Sequence, residues 1–150
     1  MKIQPYLFFN GTCEAAFRFY EKALGGKIGE LHRFKDMPPQ EGSANDGCGG
    51  MTPEALAAMG EKVMHVNLVV GDQMIMGSDS PDDSKDGIHG VTITLGFTDV
   101  EEGRKVFEAL SQKGDVQMPY GETFWANGFA MFKDQFGVPW MINAGDKPSP

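Results

Sequence analysis

Two stretches of this chain, LFFNGTCEAAFRFYEKALGGKI at 7–28 and LGFTDVEEGRKVFEALSQKGDV at 95–116, superpose without a gap, and no other feature constrains the fold as much. Leu7 meets Leu95, Phe9 meets Phe97, Glu14 meets Glu102, Phe19 meets Phe107 and Gly26 meets Gly114. Self-similarity at one spacing means that a single supersecondary unit is used twice. In each copy a short strand with apolar alternation enters a polar turn, then a helix, then a glycine and a second strand. Asp99, with Glu102 three residues on, is a capping signature for the second helix. Gly26 and Gly114 stand where a left-handed residue would end each helix.

More strand follows each copy: KVMHVNLVV (62–70) and DQMIMGS (72–78) in the first half, GFAMFKD (128–134) and VPWMIN (138–143) in the second. Both halves therefore read βαβββ, an α+β chain of two tandem modules. Module one covers about 1–78, a linker about 79–89, module two about 90–143 and a tail 144–150. The linker segment DSPDDSKDG (79–87) holds no apolar residue and reads as a solvated loop without the ligand spacing of an EF-hand. The first half also carries an insertion from Lys35 to Glu61, rich in Gly, Pro and Ser. Within it Thr52, Pro53 and Gly60 frame a short helix over PEALAAM. In the last strand Val138, Trp140 and Ile142 point to the core, while Pro139, Met141 and Asn143 point the other way.

A chain of 150 residues with 41% hydrophobic content is long enough to bury a core. Its 21 acids against 13 bases give a net charge of -8 with no basic run, which would repel a phosphate backbone and argues against nucleic acid as a partner. The apolar stretch Tyr6 to Phe9 is too short for a signal-peptide core or a membrane span, so a cytoplasmic location without a membrane partner is expected. Cys13 and Cys48 lie far apart without a zinc or disulfide pattern and read as reduced thiols.

A nucleophile elbow, a P-loop, a Cys/His pair at useful spacing and a GxGxxG between strand and helix are all missing from the sequence. Of the three histidines, His32 reads as a strand end, His65 as a strand interior and His89 as a loop residue. A lone histidine on a strand is usually a hydrogen-bonded residue rather than a ligand.

The tandem βαβββ pattern, PYLFFNGTCEAAFRFYEKALGG, DMP at 36–38, ETFWANGF at 122–129 and the closing DQFGVPWMIN together resemble the PhnB-like branch of the glyoxalase, bleomycin-resistance and extradiol-dioxygenase proteins, the vicinal oxygen chelate superfamily. The resemblance implies mixed sheets curled around a cleft. It also implies, in metal-using relatives, a divalent ion held by His or Glu on the first and last strands of each module, chelating two neighbouring substrate oxygens. Here those positions fall at Gln4 and Thr92 on the first strands and at Met76 and Met141 on the closing strands, none of them a usual ligand. The expectation is a cleft with no metal and no cofactor. A displaced site using His65 with an acid such as Glu122 is the alternative.

Strand alternation then lines the cleft with Gln4, Tyr6 and Phe8, with Thr92, Thr94 and Gly96, and with Met76, Pro139 and Met141. Phe124 and Trp125, beside a turn at Asn127 and Gly128, either wall the ligand site or pack in the core or a dimer contact. Such a pocket, mainly apolar with a few hydrogen-bonding groups, suits an unidentified small molecule. The rival readings are an enzyme, metal-dependent or using Glu122, Tyr6 or His65 as acid or base, and an interaction protein with a collapsed cleft. The resemblance further implies a homodimer. Methyl transfer, suggested by a demethylubiquinone methyltransferase name given to some similar proteins, is not expected without a glycine-rich nucleotide loop.

Overall fold

Apolar residues at Cys13, Ala16, Phe17 and Tyr20 recur at the i, i+3, i+4, i+7 spacing of one helix face, and all four are buried in α1 (Cys13–Leu24). The computed structural model describes residues 1–36, 53–80 and 87–148. Around α1 the first half contributes β1 (Tyr6–Phe9), β2 (Lys27–Arg33), a 3-10 turn (Phe34–Asp36), α2 (Pro53–Met59), β3 (Val63–Val70) and β4 (Gln73–Asp79). The second half repeats the order with β5 (Ile93–Phe97), α3 (Val100–Leu110), β6 (Asp115–Gly121), β7 (Ala126–Lys133) and β8 (Pro139–Asp146). Each half is βαβββ, as the repeat predicts, and α2 matches the helix predicted over PEALAAM. The predicted cap Thr52, most of the insertion and Cys48 lie outside the described residues.

The chain forms two compact units, built largely on residues 1–83 and 84–150. Each holds one open four-stranded mixed sheet, ordered β1-β4-β3-β2 in the first and β5-β8-β7-β6 in the second. The repeat extends to register. β1 runs parallel to β4 with Tyr6 opposite Met76, and β5 runs parallel to β8 with Thr94 opposite Met141. One face of each sheet is covered by its helix. In the first unit Leu7 and Phe9 are buried on that face, the Phe9 and Phe17 rings meet edge to face at 6.2 Å, and Gly77 lets Phe17 approach the backbone. In the second, Gly103 of α3 lies against Ile142 and Ala144, and Trp140, Ile142 and Ala144 are fully buried.

The two glycines matched by the repeat act differently from the prediction. The left-handed residues are Gly25 (φ 64°) and Lys113 (φ 56°), one position earlier in each copy. Gly26 is required for another reason: a Cβ there would come within 2.7 Å of the Val69 carbonyl oxygen. A Cβ on Gly114 would likewise run into the Lys133 carbonyl. Both glycines therefore permit backbone to pass close to the neighbouring strand.

Asp79, predicted to start a solvated linker, is instead the last residue of β4 and is buried. Its carboxylate accepts hydrogen bonds from Cys13 N (3.1 Å) and Val63 N (2.9 Å), tying the starts of α1 and β3 together. The acid is inside because two backbone N–H groups need an acceptor there. Residues 81–86 of that segment lie outside the described residues. Asp99 caps α3 as predicted, accepting from Glu102 N at 2.9 Å.

Candidate functional site

The face of the first sheet turned away from α1 is where the sequence's chemistry-bearing side chains collect. Tyr6 and Phe8 alternate with the buried Leu7 and Phe9, so both aromatic rings project from that face, 38% and 60% exposed. Pairing places Met76 beside Tyr6, and Asn67 beside Met76. His65 shares the face with Asn67, two residues along β3, and its Nδ1 lies 3.2 Å from Tyr6 Oη. The Tyr6 ring also contacts the His65 ring (centroids 5.8 Å apart) and the Phe8 ring (5.1 Å). The phenol donates when Nδ1 is unprotonated and accepts when it is protonated.

Next to this dyad, β2 brings Glu30 and His32. Asn67 Oδ1 accepts from Glu30 N (3.0 Å), Asn67 Nδ2 donates to Glu30 Oε2 (3.5 Å), and that carboxylate oxygen is 3.9 Å from His32 Nε2. His32 is the direct cross-strand partner of His65. The sequence reading missed His32, Glu30 and Asn67 as a group. Alternation along β3 could have joined Asn67 to His65, but the β2 register depends on an irregularity between Ile28 and Leu31 that no residue pattern announces.

In the second unit, the face turned away from α3 carries Thr94, Gly96, Phe129, Met131, Met141 and Asn143, by the pairings of β5, β7 and β8. Trp125 packs edge to face on Phe129 (5.2 Å) and on the exposed Phe124 (4.6 Å). Asn127 and Gly128 do not form the turn predicted beside these aromatics. They belong to β7, and Asn127 Nδ2 donates to the Gly145 carbonyl oxygen at 2.9 Å, because β8 continues to Asp146 and pairs with them.

The remaining candidates have other partners. Glu122 is exposed, and its carboxylate takes a hydrogen bond from Lys147 Nζ, which also donates to the Thr123 carbonyl (2.8 Å). That bond first, and the ammonium charge second, hold the Glu122 carboxyl below its ordinary value, away from what a base working near neutrality needs. Gln4 precedes β1 and Thr92 precedes β5. Cys13 is fully buried, and burial first, then the Asp79 and Glu14 charges, push its thiol far up, leaving it inert. His89 is engaged within its own loop, with Nδ1 3.2 Å from the Gly87 carbonyl oxygen.

The divalent ion of metal-using relatives does not fit these positions. Gln4, Thr92, Met76 and Met141 offer an amide, a hydroxyl and two thioethers, and Met76 and Met141 hold equivalent places opposite Tyr6 and Thr94. Among the described residues, no three His, Cys, Asp or Glu side chains gather as a metal site. No helix among them is long and apolar enough to cross a membrane.

Comparison with known proteins agrees with this architecture. Residues 2–142 match the family Glyoxalase/Bleomycin resistance protein/Dioxygenase superfamily. Protein YjdN of Escherichia coli (strain K12) is 35% identical over 143 residues, 95% of either chain. Protein PA1353 from Pseudomonas aeruginosa superposes with a TM-score of 0.79 at 40% identity, over 96% of this chain and 97% of that one. A protein from Bacillus cereus described as a putative 3-demethylubiquinone-9 3-methyltransferase, PhnB protein, has the same fold at TM-score 0.73 and 23% identity, over 96% and 99% of the two chains. By its tandem βαβββ sheets and the match along nearly its whole length, this chain belongs to the glyoxalase/bleomycin resistance protein/dioxygenase superfamily.

Proposed function

We propose that the protein binds a small, largely apolar molecule against the helix-free face of its first sheet. The observation that carries this reading is the grouping of Tyr6, Phe8 and Met76 with three hydrogen-bonding side chains, His65, Asn67 and Glu30, on one face of the sheet, where Tyr6 and Phe8 are exposed and Asn67 is buried. An apolar floor with a few convergent polar groups is the usual composition of a small-molecule site. The net charge of -8 and the Glu30 carboxylate favour a neutral or cationic ligand over an anionic one. Thr94, Met131 and Met141 offer a second, more apolar face of the same kind.

A screen by thermal shift tests this. A ligand at about 100 times its Kd should stabilise the protein by about 2.7 kcal/mol, and that shift should disappear in Y6A/F8A while persisting in H89A. A ligand that stabilises Y6A/F8A as much as the parent protein sinks the proposal.

The Tyr6–His65 contact supports a second reading, acid–base catalysis on the bound molecule, with the imidazole exchanging a proton and the phenol holding its ring. Any turnover found should then fall steeply in H65Q and change its pH profile in Y6F. Methyl transfer, the activity in the name of the Bacillus cereus protein, has no support here, since neither mixed sheet is the parallel doubly wound kind that carries a glycine-rich nucleotide loop. The same reading has the protein working as a cytoplasmic homodimer, an assembly that sedimentation equilibrium at micromolar concentration would measure.

A further inference from the structure

We infer that His32 and His65 form a chelate for one late first-row divalent ion, of the zinc, nickel or copper kind, on the β2–β3 side of the first sheet. The two residues are directly opposed across the antiparallel β2–β3 pair, so their side chains leave the same face. Directly opposed Cβ atoms stand roughly 4.5–5.5 Å apart. Imidazole nitrogens bind zinc at about 2.0–2.1 Å, so two imidazoles carried on Cβ atoms at that separation have the reach to turn onto one ion.

Three further features prepare the pair. Tyr6 Oη engages His65 Nδ1 at 3.2 Å, which orients the ring and leaves Nε2 for a metal, the arrangement in which a ligating histidine uses its other nitrogen as an anchor. The Glu30 carboxylate, 3.9 Å from His32 Nε2 and bonded to Asn67, supplies negative charge beside the ion. The His32 side chain is 53% exposed, so a hydrated ion reaches it without opening the fold. Imidazole donors select zinc, nickel and copper over magnesium or calcium. With two protein donors the other coordination positions are left to water or to an incoming ligand.

This pair lies on the second and third strands, whereas the superfamily position tested above lies on the first and last. It shares Tyr6, His65 and Glu30 with the small-molecule reading but is tested independently of it, since metal binding is measured without any organic ligand.

The experiment is calorimetric titration of tag-free protein with nickel or zinc chloride. One equivalent should bind, and binding should be lost in both H32A and H65A and retained in H89A, which removes the third histidine. Y6F should weaken it by about tenfold or more. In parallel, substoichiometric Cu(II) should broaden the ring proton resonances of His32 and His65 and spare those of His89, a readout that does not require any variant to fold. Binding that survives H32A and H65A, broadening that follows His89, or no binding at millimolar metal would overturn the inference.

Discussion

Lys113 adopts the left-handed conformation that its repeat partner Gly25 reaches with a glycine, and only the second module bears the steric cost. A left-handed L-residue costs about 1–2 kcal/mol, part of which a glycine loses again in the unfolded chain. K113G should therefore stabilise the protein by about 0.5–1 kcal/mol, seen as a higher midpoint in urea, whereas G25A should destabilise it. G26A and G114A should both destabilise for a different reason, since each added methyl meets a backbone carbonyl. The repeat made Gly26 and Gly114 visible, but their sequence could not say whether they turn the chain or admit a neighbour. That difference depends on Val69 and Lys133, which are distant in sequence.

Glu122 shows a similar limit. Its place in ETFWANGF made it a candidate acid or base, and only the fold brings Lys147 to it. A carboxyl held below its ordinary value of 4.5 stabilises the native state above the unfolded-state pKa and loses that contribution as pH falls through the folded value. E122Q should therefore be less stable than the parent protein at neutral pH and equal to it near pH 2, as measured by denaturant midpoints at the two pH values.

Among the elements, β8 and its turn were the most legible. Val138, Trp140 and Ile142 are buried and Pro139, Met141 and Asn143 are half-buried, as strict alternation requires. The preceding turn has a single acid at its centre. Asp134 accepts from Phe136 N (2.8 Å), Val138 N (3.1 Å) and Trp140 Nε1 (2.8 Å), and Gly137 takes φ 83° to close it. Removing the carboxylate exposes no water to the Val138 and Trp140 donors, because Asp134, Val138 and Trp140 are all buried, whereas Phe136 is half-buried. D134A should cost about 1–3 kcal/mol for each donor left unpaired, with D134N intermediate, both read by equilibrium denaturation following tryptophan fluorescence. By contrast, β2 was legible only as a strand. The offset that sets His32 against His65 comes from a register irregularity, and strand pairing is a long-range property.

For the whole molecule, the excess of 21 acids over 13 bases favours solubility at neutral pH, and that contribution vanishes as the carboxylates protonate. Solubility should pass through a minimum near the sequence pI of about 4.8, measured by turbidity at fixed protein concentration. The same charge makes cationic or neutral ligands the better first members of a screen.

The sequence by itself determined the two βαβββ modules, their order and, on the last strand, the core-facing Val138, Trp140 and Ile142. It did so because period-2 and period-3.6 patterning, caps and turn residues are local, and the repeat states each of them twice. The family resemblance further assigned the superfamily's metal positions to Gln4, Met76, Thr92 and Met141, none of them a usual ligand. The tertiary structure decided which distant groups meet: Tyr6 with His65, His32 across from His65, Asp79 with Cys13 and Val63, Glu122 with Lys147. Those meetings are set by strand register and by which buried donors need an acceptor. Both are decided when separate segments pack together, beyond the reach of any local window of residues.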